Sequence, residues 1–154
     1  MEYVFRSDDI NFTVIIYEAT YDKIVEECEK SMNMETGGIL IGNYSKNNSI
    51  AFINDSYSPK DSKHFKSKFL RGTDGINKIL DKKWGEGEYY LGEWHYHPNS
   101  SSKSSLVDDA QMIEFSNNKK LNCLEPILVI IGGNSLKWSL NVYVYKNNEK
   151  IILK

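Results

Sequence analysis

Two of the chain's three histidines stand one residue apart, in Glu93-Trp94-His95-Tyr96-His97-Pro98, and Ser105 and Asp108 follow closely. Alternate side chains of a strand share a face, so His95 and His97 project together, Glu93 with them, while Trp94 and Tyr96 point the other way. Residues 88–97 are rich in aromatics, as strands are, and Pro98, with no N–H for a ladder, ends the strand. Two neutral imidazoles at a strand end can hold one metal ion. Zinc favours such donors, and a catalytic zinc takes three protein ligands and keeps one position open. The spacing alone leaves the third ligand undecided. Asp108 lies in the first turn of a helix predicted from Ser105 to about Asn117, with Leu106, Ala110 and Ile113 at helical spacing. There the helix dipole favours a carboxylate, within reach of a metal at the strand end. The bland readings stand beside this one. Ser105-x-x-Asp108 resembles a capping box with Asp in place of Glu, and a lone His-x-His on a strand is more often structural than ligating.

Taken together, His95-x-His97-Pro98, six residues, and Ser105-x-x-Asp108 resemble the JAMM motif of the JAB/MPN (Mov34/MPN/PAD-1) metalloproteases. The family's upstream Glu is matched by Glu35. Its context, Glu35-Thr36-Gly37-Gly38-Ile39-Leu40-Ile41-Gly42, resembles the family's Glu-x-Gly-Gly-x-Leu-x-Gly run. The resemblance covers almost the whole chain. It implies a single α/β domain over residues 1–154: a three-layer α/β/α fold with a mixed central sheet, related to the cytidine-deaminase fold. It implies Zn2+ held by His95, His97 and Asp108, with water in the fourth position. Glu35 would be the general base, taking a proton from that water and passing it to the leaving amine. Ser105 would donate a hydrogen bond to the tetrahedral oxyanion, a contact worth about 3 kcal/mol. The amide would be hydrolysed without a covalent intermediate.

The same resemblance narrows the bond. Enzymes of this kind cut isopeptide or peptide bonds after the C-terminal tail of ubiquitin or a ubiquitin-like protein. Gly92-Glu93-Trp94-His95 looks like the prokaryotic stand-alone branch. Members of that branch sit beside activating and conjugating enzymes, including in antiphage systems of the CBASS type. There the substrate is a conjugate on a cGAS-like nucleotidyltransferase. Two alternatives remain: a non-catalytic scaffold, as MPN domains that have lost ligands become, and a peptidase for a sulfur-carrier or other peptide. The ligand set is complete here, which separates this chain from the scaffolds.

The other elements must position these residues. Asn11 to Tyr17 reads as a strand. Ala19 to Met32 reads as a helix whose Tyr21, Ile24, Val25, Cys28 and Met32 form an apolar stripe. Ile39–Tyr44 and Ile50–Tyr57 read as strands around the turn at Lys46-Asn47-Asn48-Ser49. Asp74–Trp84 reads as a helix, ended by Gly85-Glu86-Gly87. Pro126–Ile131 is a continuous apolar run, suited to a strand covered on both faces. Trp138–Tyr145 and Ile151–Leu153 complete a mixed order that fits α/β/α layers. Ser58 to Arg71 is polar and basic, and the first reading is a solvated loop. Its place in the family offers another: main-chain pairing to an extended peptide tail, with Lys63, Lys66, Lys68 and Arg71 meeting acidic groups on the partner. His64 reads as a loop residue. Glu93 reads as a partner orienting an imidazole, a rival catalytic carboxylate, or a surface charge. The loop Asn99 to Ser104 lacks hydrophobic anchors and is expected to be mobile.

Composition sets the outer bounds. A chain of 154 residues suits one domain with a real core. A net charge of -2 gives no case for nucleic acid. No run of 18 apolar residues suggests a membrane span. The acidic start from Met1 to Asp9 lacks a signal-peptide layout, and Cys28 and Cys123 read as free thiols, so a cytoplasmic protein is expected.

Overall fold

The structure is a computed structural model that describes all 154 residues. Ten strands and three helices alternate along the chain: β1 (Glu2–Arg6), β2 (Thr13–Tyr17), α1 (Glu18–Ser31), β3 (Thr36–Tyr44), β4 (Ile50–Tyr57), β5 (Lys63–His64), β6 (Phe69–Leu70), α2 (Ile76–Gly85), β7 (Tyr89–Pro98), α3 (Leu106–Ser116), β8 (Ile127–Asn134), β9 (Lys137–Lys146) and β10 (Glu149–Leu153). Eight strands form one sheet in the order β1-β2-β4-β3-β7-β8-β9-β10, and β5 and β6 pair separately. The β2–β4 and β7–β8 pairs are parallel and the others antiparallel, so the sheet is mixed. At its far ends Arg6 and Lys154 exchange backbone hydrogen bonds of 2.8 and 2.7 Å, bringing β1 round to β10.

Alternation assigns the two faces. On one face Ile24 and Cys28 of α1 pack with Val14, Ile16, Leu40, Ile53, Trp94, Val129 and Val144. On the other, Ile76 of α2 meets Ile39, Ile41 and Tyr90, and Met112 of α3 meets Leu128, Ile130, Tyr143 and Tyr145. The chain is therefore an α/β/α stack. Ile127 to Ile131 of β8 are all buried, odd-numbered residues toward α1 and even-numbered toward α3. Each such side chain contributes about 1.5–3 kcal/mol.

Several elements depart from expectation. Glu2–Arg6 is a strand, its Tyr3 and Phe5 packed on the core. β3 starts at Thr36, because Gly37 and Gly38 pair with His95 and Trp94 of β7 instead of turning. Met32 lies outside α1 with φ 58° and is exposed, so the apolar stripe ends at Cys28. The buried face of α3 carries Asp108 and Met112, while Leu106 is exposed. The helix is turned by its acidic residue, which reaches two imidazoles. The register of β7 slips where Leu91 is inserted between Tyr90, opposite Ile41, and Gly92, opposite Leu40. Gly92 permits the bulge: a Cβ there would lie 1.8 Å from the Ile127 carbonyl oxygen. Tyr90 consequently shares a face with Glu93 despite its odd spacing.

Candidate active site

β7 delivers His95 and His97 to the α2/α3 side of the sheet. His95 is 3% exposed and His97 half-buried. Gly37 lets the neighbouring strand come this close, since a Cβ there would meet the Trp94 carbonyl at 2.4 Å, the Phe69 ring at 2.8 Å and His95 Cδ2 at 3.0 Å. α3 delivers Asp108. The capping box is formed: the Ser105 N–H donates to Asp108 Oδ2 at 2.8 Å, and the Asp108 N–H donates to Ser105 Oγ at 3.1 Å. The same carboxylate also reaches the histidines, Oδ1 lying 3.0 Å from His95 Nδ1 and Oδ2 3.3 Å from His97 Nε2. Helix cap and site residue are thus one group. Glu35, just before β3, approaches from the other side, its Oε1 3.7 Å from His97 Nε2.

Electrostatics follow from this crowding. Burial would lift the Asp108 carboxyl, but His95, His97 and the Ser105 N–H more than offset it and hold it well below the usual carboxylate range. Burial raises Glu35, Asp108 adds to the rise, and His97 and His95 oppose it. Burial would lower His97, yet Asp108 and Glu35 hold it above its ordinary value. Two carboxylates therefore converge on one imidazole nitrogen in a largely dry place.

The donors close on one another here, and no three His, Cys, Asp or Glu side chains surround a common point as ligands would. Their chemistry nevertheless fits a divalent cation. Two imidazoles and a carboxylate are a zinc-type donor set, and His95 Nε2 is buried without a hydrogen-bond partner. An orphaned buried polar atom costs about 1–3 kcal/mol, which a ligand would relieve.

The surroundings hold what spacing did not reveal. The β5–β6 hairpin lies against the site. The Glu35 N–H donates to the Phe65 carbonyl at 2.8 Å, His64 Nδ1 is 3.1 Å from the Glu35 carbonyl oxygen, and the buried Phe69 meets the His95 ring edge-on at 5.7 Å. Lys63, Lys66 and Lys68 are exposed on it. Arg71 is not available to a partner, contrary to expectation: its side chain is 8% exposed and its Nε donates to Glu93 Oε1 at 2.5 Å. Glu93 is correspondingly no surface charge. It is fully buried and also accepts from the Tyr90 hydroxyl at 2.5 Å. Burial pushes its carboxyl up, while Arg71 and Tyr90 pull it back. One signal for this pair was present: Arg71 is one of only two arginines among 19 basic residues, and Arg is the cation suited to buried pairing.

The loop from Asn99 to Ser104 is also tied down, by polar bonds where apolar anchors are lacking. The Asn99 N–H donates to the Gly133 carbonyl at 2.8 Å, and the Ser104 N–H to the Tyr143 hydroxyl at 3.2 Å. Lys150 Nζ donates to Ser104 Oγ at 2.8 Å and to Asp109 Oδ2 at 3.0 Å. The backbone of Ser100 to Ser102 rests on Gly132, and Ser102 is buried.

The fold has solved counterparts. A protein from Desulfitobacterium hafniense, DSY2949, superposes with a TM-score of 0.62 at 15% identity, covering 89% of this chain and 87% of that one. That likeness concerns the fold alone. Residues 17–141 match the family of prokaryotic homologues of the JAB domain, and the chain belongs to that family. A relative from Enterobacter hormaechei subsp. hoffmannii, named CD-NTase/cGAS isopeptidase, is 40% identical over 131 residues, 84% of this chain and 73% of its own. A probable metalloprotease of Sinorhizobium fredii, y4qB, is 18% identical over 142 residues, 90% of this chain and 87% of its own. No helix is long and apolar enough to cross a membrane.

Proposed function

We propose that the chain is a zinc-dependent isopeptidase that removes a protein conjugated through a ubiquitin-like tail, with a cGAS-like nucleotidyltransferase conjugate as the substrate class. The observation that carries this is the gathering of His95, His97, Asp108 and Glu35 in one buried cluster. The family and the isopeptidase named among its relatives support the reaction and the substrate. His95, His97 and Asp108 would hold the ion. Zinc so bound supplies a Lewis acid that polarises a carbonyl and acidifies water.

The remaining chemistry belongs to the chain. Glu35, lifted by burial toward the working pH, accepts a proton and returns it to the leaving amine. The Ser105 oxygen accepts from the Asp108 N–H, which leaves its own O–H free to donate to a developing oxyanion. Phe69 backs the His95 ring edge-on. Lys63, Lys66 and Lys68 line the approach and meet acidic groups beside the tail.

Metal content and hydrolysis measured together test this. Wild type should carry one zinc per chain and cut the conjugated nucleotidyltransferase. Asp108→Ala should lose both metal and activity, and Glu35→Gln should keep the metal and lose turnover. Wild-type protein that takes up no zinc after reconstitution would overturn the reading.

A further inference from the structure

The segment between β4 and α2 is secured in two different ways. Asp61 closes its neck, its carboxylate accepting from the Thr73 N–H at 3.2 Å and the Asp74 N–H at 2.9 Å. Its tip is the β5–β6 hairpin, two residues per strand and unpaired with the large sheet. A hairpin of that size has little stability of its own. Yet it carries the carbonyl that binds the Glu35 N–H and the ring that backs His95.

Arg71 directly follows β6, and its guanidinium reaches back to the sheet. Nε donates to Glu93 Oε1, and Nη1 donates to the Gly72 carbonyl at 2.8 Å. The group also lies 5.1 Å above the Phe115 ring of α3. Arg71 is thereby gripped between β7, which carries the histidines, and α3, which carries Asp108. Tyr90 completes the arrangement by donating to the other oxygen of Glu93. No atom of this carboxylate faces water, and its two oxygens bond to Arg71 and Tyr90 and not to the histidine–aspartate cluster.

We propose that Arg71, Glu93 and Tyr90 form a latch that holds the β5–β6 hairpin down as one wall of the active site. They are positioning residues. The kinetic consequence rests on the isopeptidase reading, whereas the latch itself does not. The physics gives a way to separate latch from stability. Removing one member of a buried ion pair strands a charge and is strongly destabilising, but replacing the whole group by apolar residues of similar volume is often neutral.

The test is the variant Arg71→Met, Glu93→Met, Tyr90→Phe in the full chain. Its thermal midpoint and zinc content should stay near wild type, because the ligands sit on β7 and α3. Tryptic cleavage after Lys66 and Lys68 under native conditions should accelerate about tenfold or more as the hairpin opens locally. With the conjugated nucleotidyltransferase as probe, KM should rise about tenfold as the binding wall is lost, and kcat should fall with it, because the same hairpin carries the carbonyl bound by the Glu35 N–H and the ring behind His95. Arg71→Lys, which keeps the charge without the fork, should fall between the two. A wild-type rate of tryptic cleavage in the triple variant would overturn the latch, and so would an unchanged KM. If the triple variant does not fold, Arg71→Gln with Glu93→Gln takes its place under the same two criteria. Wild type that fails to hydrolyse the probe sinks the isopeptidase reading, and the tryptic comparison still decides the latch.

Discussion

Gly37→Ala places one methyl group at the tightest point of the site. The added carbon would sit 2.4 Å from the Trp94 carbonyl oxygen, where about 3.0 Å is the shortest contact that real Cβ atoms show. A carbonyl in the β7 ladder cannot rotate away, so β3 must retreat from β7 by roughly 0.6 Å, the difference between those distances. The same methyl presses on Phe69 at 2.8 Å and on the His95 ring at 3.0 Å. Overpacking of this kind costs about 1–3 kcal/mol. For a chain of this size each kcal/mol lowers Tm by about 2–4 °C, so calorimetry should show a fall of about 2–12 °C. Activity should suffer more than stability, because a displacement approaching 1 Å at a reacting centre can cost about 100-fold. Gly85→Ala is the control. Its Cβ meets nothing within 4 Å at the end of α2, and a helical Gly→Ala change is neutral or stabilising by up to about 1 kcal/mol. A Gly37→Ala protein with wild-type Tm and turnover would refute the packing of His95 against β3.

Acid should act on Asp55, which joins Lys23 of α1 at 2.7 Å and Lys83 of α2 at 3.3 Å. Burial would raise this carboxyl, but Lys23, the Ser56 N–H and Lys83 outweigh it and leave it lowered. A lowered folded pKa gives stability that is present above the unfolded value of about 3.9 and is lost as pH falls through the folded one. The urea midpoint of wild type should therefore exceed that of Asp55→Asn at pH 6, with the gap closing under acid; a gap independent of pH would contradict the pairing. Tyr143→Phe removes the acceptor of the Ser104 N–H and the donor to the Ser102 carbonyl. The Ser104 amide should then exchange roughly three- to tenfold faster, in line with about 0.5–1.5 kcal/mol per hydrogen bond. Unaltered exchange would show that the loop is held by something else.

The residues 93–97 could be read from alternation alone because the bulge in β7 lies just upstream of them. From Tyr90 to Glu93 the same rule fails, since Leu91 adds a residue that no periodicity announces. The spacing after Pro98 puts Asp108 in a first helical turn within reach of the strand end, but its role as third ligand came only with the family resemblance, and the capping box looked like a rival to it. In the structure one carboxylate caps the helix and also reaches both histidines. Glu93 was placed on the right face, but its burial depends on Arg71, 22 residues earlier in a segment with no regular pattern. Such a pair leaves no periodic trace in sequence, only the choice of Arg over Lys at position 71. Polar ties to Asn99 and Ser104 are of the same kind, made by Gly133, Tyr143 and Lys150 from distant strands. The first strand is a different matter: Tyr3, Val4 and Phe5 carry an ordinary strand signal between acidic flanks.

The backbone link between Arg6 and Lys154 changes how the sheet can come apart. An open sheet frays independently at its two outermost strands, where backbone groups lack partners. Here each outer strand is the other's neighbour at one end, so peeling β1 from β2 strains β10, and the reverse. Breathing of the two margins becomes a single correlated event. It also closes one end of an outer edge to the stray strands that seed misassembly.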